Sequence, residues 1–201
     1  MPALSSAKAI GGIGAILVLL TFVPSAGAIF GIAGFIMILV AVKEVADVLE
    51  NRKVFSDMMT AVILAIIGVA VASLVVSATV FSAFQNGYFS SGYPYTPSTT
   101  ITTAQWIAFG LAIGLGLLIA WLFFLFSSLY LRRSYNAIGA ELDVHMFGTA
   151  GLLYFIGAAT AIIGVGFVLL FVAQILTAVA FFSIPEKRPE KRPMTTSVPP
   201  V

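Results

Sequence analysis

Three stretches of this chain carry no charged side chain: 34 residues between Lys8 and Lys43, 74 between Asp57 and Arg132, and 40 between His145 and Glu186. A membrane-spanning helix takes about 20 apolar residues at 1.5 Å rise each. The first and third stretches therefore suit two helices each, and the middle stretch suits two longer ones. The predicted fold class is all-α: a polytopic transmembrane bundle of six helices at about 8–23, 27–49, 58–84, 104–131, 145–163 and 165–184. Tight turns fall at Pro24-Ser25-Ala26-Gly27 and near Gly164-Val165-Gly166, and a loop of Gly, Ser, Thr, Tyr and Pro joins the middle pair. Residues 1–184 make one transmembrane domain. Residues 185–201 form a tail that repeats as PEKRPEKRP, a composition expected to stay disordered or polyproline-like.

An even number of crossings in each stretch returns the chain to the same side every time. All ten Lys and Arg and all eight Asp and Glu then lie on that side. By the positive-inside rule it is cytoplasmic, which puts both termini in the cytoplasm of a multi-pass plasma-membrane protein. Composition agrees: 60% of residues are hydrophobic and 9% charged, against roughly 25% charged in soluble domains. The formal charge of +2 gives no case for nucleic-acid binding. The absence of cysteine excludes disulfides, thiolate catalysis and thiol metal sites.

The first hairpin is the tightest fit. After a four-residue turn each leg has about 15 residues, roughly 22 Å of helix for a ~30 Å core. Either the flanking Lys8 and Lys43 snorkel and the helices extend beyond them, or the hairpin is re-entrant and only half crosses. Lys8, an apolar run and Ala26-Gly27-Ala28 also have the look of a signal peptide. A shift of 137 residues gives this segment a structural role instead. It aligns Gly11 with Gly148, Gly14 with Gly151, Gly27 with Gly164 and Phe30 with Phe167, as in a parallel repeat of the N- and C-terminal hairpins. Chance similarity between apolar sequences is the competing explanation.

Ionisable residues inside spans usually mark coupled transport or catalysis. The six predicted spans hold none in their apolar cores, which argues against proton- or sodium-coupled carriers, pumps and intramembrane metalloenzymes. The candidate intramembrane polar contacts are Gln174, Tyr154, Thr160, Ser73 and Ser77. Gln174 is the most costly to bury, because its amide needs partners in lipid. An interhelical hydrogen bond is the favoured role, and contact with a polar solute the alternative. Gly27 and Gly31, Gly110 and Gly114, and Gly157 with Ala161 have the small-xxx-small spacing of closely packed helices, within one chain or between subunits. Glu141, Asp143 and His145 make a thin cluster, better read as membrane-surface residues than as a metal site. No catalytic motif assembles, so no enzyme activity, no bound metal and no cofactor are expected. Segment 43–57 is expected to continue the second helix into water, and 132–143 to form a surface-lying or linking helix.

The run SSAKAIGGIGAILVLL, then GIAGFIMILVAVKEVADV, and FGTAGLLYFIGA followed by LLFVAQILTAVAFFSIP resemble a family of small archaeal membrane proteins, domain of unknown function 996. The likeness covers nearly the whole chain outside the middle loop and the tail. It implies an archaeal plasma-membrane protein and carries over no activity and no site residues. The function expected is that of a structural or accessory subunit of a membrane complex, and the alternative is an uncoupled channel or carrier for a neutral or lipophilic solute. The partners expected are membrane lipids, with other complex subunits or further copies of the chain as alternatives.

Overall fold

The computed structural model describes residues 4–23, 27–85 and 102–186. Most of the first predicted turn, the middle loop up to residue 101 and the tail from residue 187 lie outside them. Six α-helices follow in order: α1 (Leu4–Leu19), α2 (Gly27–Val48), α3 (Arg52–Gln85), α4 (Thr103–Leu142), α5 (His145–Thr160) and α6 (Gly166–Phe182). Short 3-10 turns, Leu20–Phe22 and Ala161–Ile163, prolong α1 and α5. The described residues contain no strand. α2, α3, α4 and α5 with its 3-10 turn are long and apolar enough to cross a membrane, while α1 and α6 are shorter apolar helices. With its 3-10 turn, α1 reaches roughly 30 Å, about the thickness of a hydrocarbon core.

Two boundaries differ from the sequence expectation, and local chemistry explains both. Segment 43–57 does not prolong one helix. α2 stops where Glu50 turns left-handed (φ 54°) and the Asn51 amide bonds back to Ala46 O at 3.1 Å. Asn51 then caps the next helix, its Oδ1 accepting from the Lys53 amide at 3.2 Å, so α3 starts at Arg52 rather than near 58. Segment 132–143 is no separate surface helix but the last turns of α4. It has a rail to follow, because α3 now begins alongside it. Ser134 Oγ donates to Val54 O at 2.8 Å, and Asn51 Nδ2 to Glu141 Oε1 at 2.8 Å. A left-handed Asp143 (φ 58°) ends α4, and the chain turns directly into α5. At the other end of α4, Thr102 and Gln105 form a reciprocal capping box.

The helices form a ring in chain order, closed by contact between α1 and α6. The α2–α3 seam is the loosest between neighbours. The core lies at the charged end of the ring. Tyr135, Phe147 and Phe181 meet edge to face there, at 5.6 Å between the first pair and 5.1 Å between the second. Leu4, Val42, Val45, Val54, Met58, Ile138, Leu142 and Ile184 close around them. Gly11 makes room for this cluster: a Cβ there would stand 2.2 Å from the Phe181 ring. The two terminal hairpins share a plan of helix, 3-10 turn and helix. The glycines aligned by the repeat do different work, however. Gly14 abuts Gly34 within its own hairpin, whereas Gly151 abuts Arg132 and Tyr135 on α4.

The α3–α4 hairpin is much longer than the rest, with helices of 34 and 40 residues. Its uncharged end extends beyond the other four helices. There Val69, Leu74, Phe81, Ile107 and Leu111 are exposed, and the two helices touch chiefly each other. Exposed apolar side chains in such number do not suit water, and they match the lipid-facing surface that the composition predicts.

Candidate ligand chamber

Above the charged-end core the ring is not filled. A chamber of about 210 Å³ lies at its centre, and all six helices contribute to its wall. Val18, Phe35, Ile38, Val62 and Phe124 supply apolar lining; Ser127, Ser128, Tyr135, Tyr154 and Gln174 supply the polar atoms. No charged side chain lines it.

Gln174 is the organising residue. Its Oε1 accepts a hydrogen bond from Tyr154 Oη on α5, and its Nε2 donates to Ala15 O on α1 at 3.0 Å. One amide therefore ties three helices together, and the buried polar group meets the partners it needs in an apolar interior. Ser127 Oγ donates to Ala61 O at 2.8 Å across the α3–α4 interface, and Ser128 Oγ to Leu125 O at 2.7 Å within its own helix. Trp121 Nε1 donates to Ala158 O at 2.9 Å, joining α4 to α5 just outside the chamber.

Of the five polar candidates from sequence, the fold brings together Gln174 and Tyr154 only. Thr160 Oγ1 bonds back to Ile156 O at 2.8 Å on its own helix. Ser73 and Ser77 sit exposed on the outer half of α3, away from the chamber. Ser127 and Ser128 belong to the site and were missed, although the same criterion of a hydroxyl inside an apolar run applies to them.

The glycine candidates also divide. Gly27 and Gly31 pack on Thr21, with a Cβ at Gly27 standing 2.0 Å from Thr21 O, and a Cβ at Gly157 would stand 2.9 Å from Leu170. Gly110 and Gly114 pack on no neighbour among the described residues: beyond the local helix backbone, none of their atoms lies within 4 Å of a Cβ built at either. Helix rotation turns that spacing away from the hairpin seam. Close approach there uses Gly68 against Phe123 and Gly116 against Val75. At the charged end, His145 Nε2 stands 3.7 Å from Asp143 Oδ1, with both side chains largely exposed. No cluster of metal-ligating side chains occurs among the described residues.

Two further openings adjoin the chamber. One is a slot between α2 and α3, lined without polar surface by Gly31, Ile32, Phe35, Ile36, Val62 and Ile66 among others. The other lies between α1, α4 and α6, where Thr21, Phe124, Phe167 and Phe171 lead to Tyr154 and Gln174. At the charged end the aromatic core is packed, and a polar recess between α3 and α4, lined by Asn51, Lys53, Asp57, Arg133 and Asn136, shares no residue with the chamber.

Comparison with known proteins gives a family of unknown function. An uncharacterised protein of the archaeon Methanocaldococcus jannaschii is 30% identical over 183 residues, covering 91% of this chain and 94% of its own length. No solved structure matches the chain. The family model described as "Protein of unknown function (DUF996)" matches residues 30–175, and the chain belongs to that family.

Proposed function

We propose that this chain is a non-enzymatic membrane protein that holds a small neutral lipophilic molecule in the chamber inside its helix ring. The observation that carries this reading is the chamber itself: a mostly apolar space with a few fixed polar atoms and no charge. Small-molecule sites have that composition, with a handful of placed polar groups setting orientation. The size is apt, since an apolar cavity of roughly 150 Å³ accepts benzene. The packed charged end argues for holding a ligand over conducting one, because the polar recess there, lined by Asn51, Lys53, Asp57, Arg133 and Asn136, shares no residue with the chamber. In this reading the charged end faces the cytoplasm, with Lys8, Lys43, Arg52, Lys53, Arg132 and Arg133 gathered there.

The test is to purify the chain gently from its native membrane and identify extracted small molecules by mass spectrometry. A lipophile should accompany the wild-type chain and be missing from Ala65→Phe, which fills the chamber from α3. Identical extracts from both would count against the reading.

A second reading, an accessory subunit of a larger assembly, is favoured by the open Gly110 and Gly114 on a hairpin that overreaches its neighbours. Small residues on an uncovered helix face let another helix approach closely. Blue-native electrophoresis of mildly solubilised membranes tests it: a chain that always migrates alone would remove its support.

A further inference from the structure

Resting on the chamber reading, we propose that the ligand is an alcohol dissolved in the bilayer, and that it reaches the chamber sideways through the slot between α2 and α3.

The route follows from which residues the cavities share. Phe35 and Val62 line both the chamber and the slot, one from each helix of the loosest seam. Val18 on α1 stands at the junction of both. Outward from them the slot is walled by Ile32, Ile36 and Ile66, which are 66%, 54% and 62% exposed and so face whatever surrounds the protein. The slot offers no polar surface. A water-borne polar solute gains nothing along such a wall and would lose its hydration there, whereas an apolar chain leaving lipid loses little. At the charged end, the Tyr135–Phe147–Phe181 cluster and the aliphatic side chains around it close the alternative approach from water.

The functional group follows from where the chamber's protons already point. Ser127 donates to Ala61 O, Ser128 to Leu125 O and Tyr154 to Gln174. Each of these hydroxyls has its single proton engaged and retains acceptor capacity. The Gln174 amide engages one N–H with Ala15 O and keeps a second. Beside these engaged hydroxyls, which offer acceptors, stand the second Gln174 N–H and the Tyr135 hydroxyl, and a ligand hydroxyl supplies both a proton and a lone pair to match. A ketone or ether would leave the acceptors unanswered, and a carboxylate would place a charge in a chamber with no cation.

The experiment uses the full chain reconstituted in phospholipid vesicles, with a diazirine-bearing decanol as photoprobe and peptide mapping as readout. Labels are expected on chamber residues, with loss of that labelling under excess unlabelled 1-decanol but not under decane. The chain has no native cysteine, so Ile36→Cys with Ile66→Cys gives a unique pair across the slot. Bridging that pair with a reducible bifunctional thiol reagent should abolish chamber labelling, and reduction should restore it. Each single-cysteine variant should label like the wild type. Undiminished labelling of the bridged protein would overturn entry through the α2–α3 slot and leave the chamber reading standing. Equal competition by decane would overturn the alcohol assignment alone. Labels confined to lipid-facing side chains, with none in the unbridged chamber, would overturn the chamber reading itself.

Discussion

The charged end and the opposite end of this molecule are built from nearly the same apolar alphabet, yet they use it in opposite ways. At the charged end large side chains point inward: Tyr135, Phe147 and Phe181 are buried among aliphatics, and Gly11 gives way to them. At the other end Phe81, Phe84 and Leu111 point outward, and Gly110 and Gly114 face open space. The contrast shows that in a lipid-facing bundle hydrophobicity does not decide burial. Lipid tails solvate Leu and Phe as well as a protein interior does, so packing shape and hydrogen bonds must hold the helices together. The charged end has both, including the Ser134–Val54 and Asn51–Glu141 bonds. The α3–α4 extension has little beyond its own seam.

Four variants probe that contrast, each followed by denaturant titration in mixed micelles with tryptophan fluorescence as readout. Phe181→Ala should cost the most, about 3 kcal/mol, because it opens a cavity in the packed end that its neighbours cannot fill. Gly11→Val should cost about 1–3 kcal/mol by driving a side chain into the space of the Phe181 ring. Gln174→Leu should cost about 1–2 kcal/mol through the lost tie between α1, α5 and α6. Any loss of ligand in that variant, measured by extraction, should exceed what its stability change explains. The double change Gly110→Ala with Gly114→Ala should stay within about 0.5 kcal/mol of wild type, since nothing stands in its way. A loss there as large as that of Gly11→Val would break the comparison, and would mean that another helix covers the extension in the membrane.

Helix number and order were legible in the sequence because lipid leaves the backbone so few options. An uncharged stretch must satisfy its own amides, and length then counts the helices. The stops around 49–51 were less legible. They depend on Glu50 and Asn51 adopting a left-handed turn and a cap, which charge alternation does not announce. Site residues were legible in part. Gln174 and Tyr154 stood out as polar groups with a high cost of burial, whereas Ser127 and Ser128 lie so near Arg132 that they read as the edge of a span. Ser73 and Ser77 had the right residue type on the wrong face.

From the sequence alone came the solvent, the helices and the single charged end, because these depend only on where charges are absent and for how long. Tertiary structure decided which face of each helix meets a neighbour, which glycines touch, and that the ring stays unfilled around Gln174. The physical reason is that these helices are apolar on nearly every side. Periodicity therefore carries no rotational signal, and the rotation is settled only when side-chain shapes and a few hydrogen bonds meet in three dimensions.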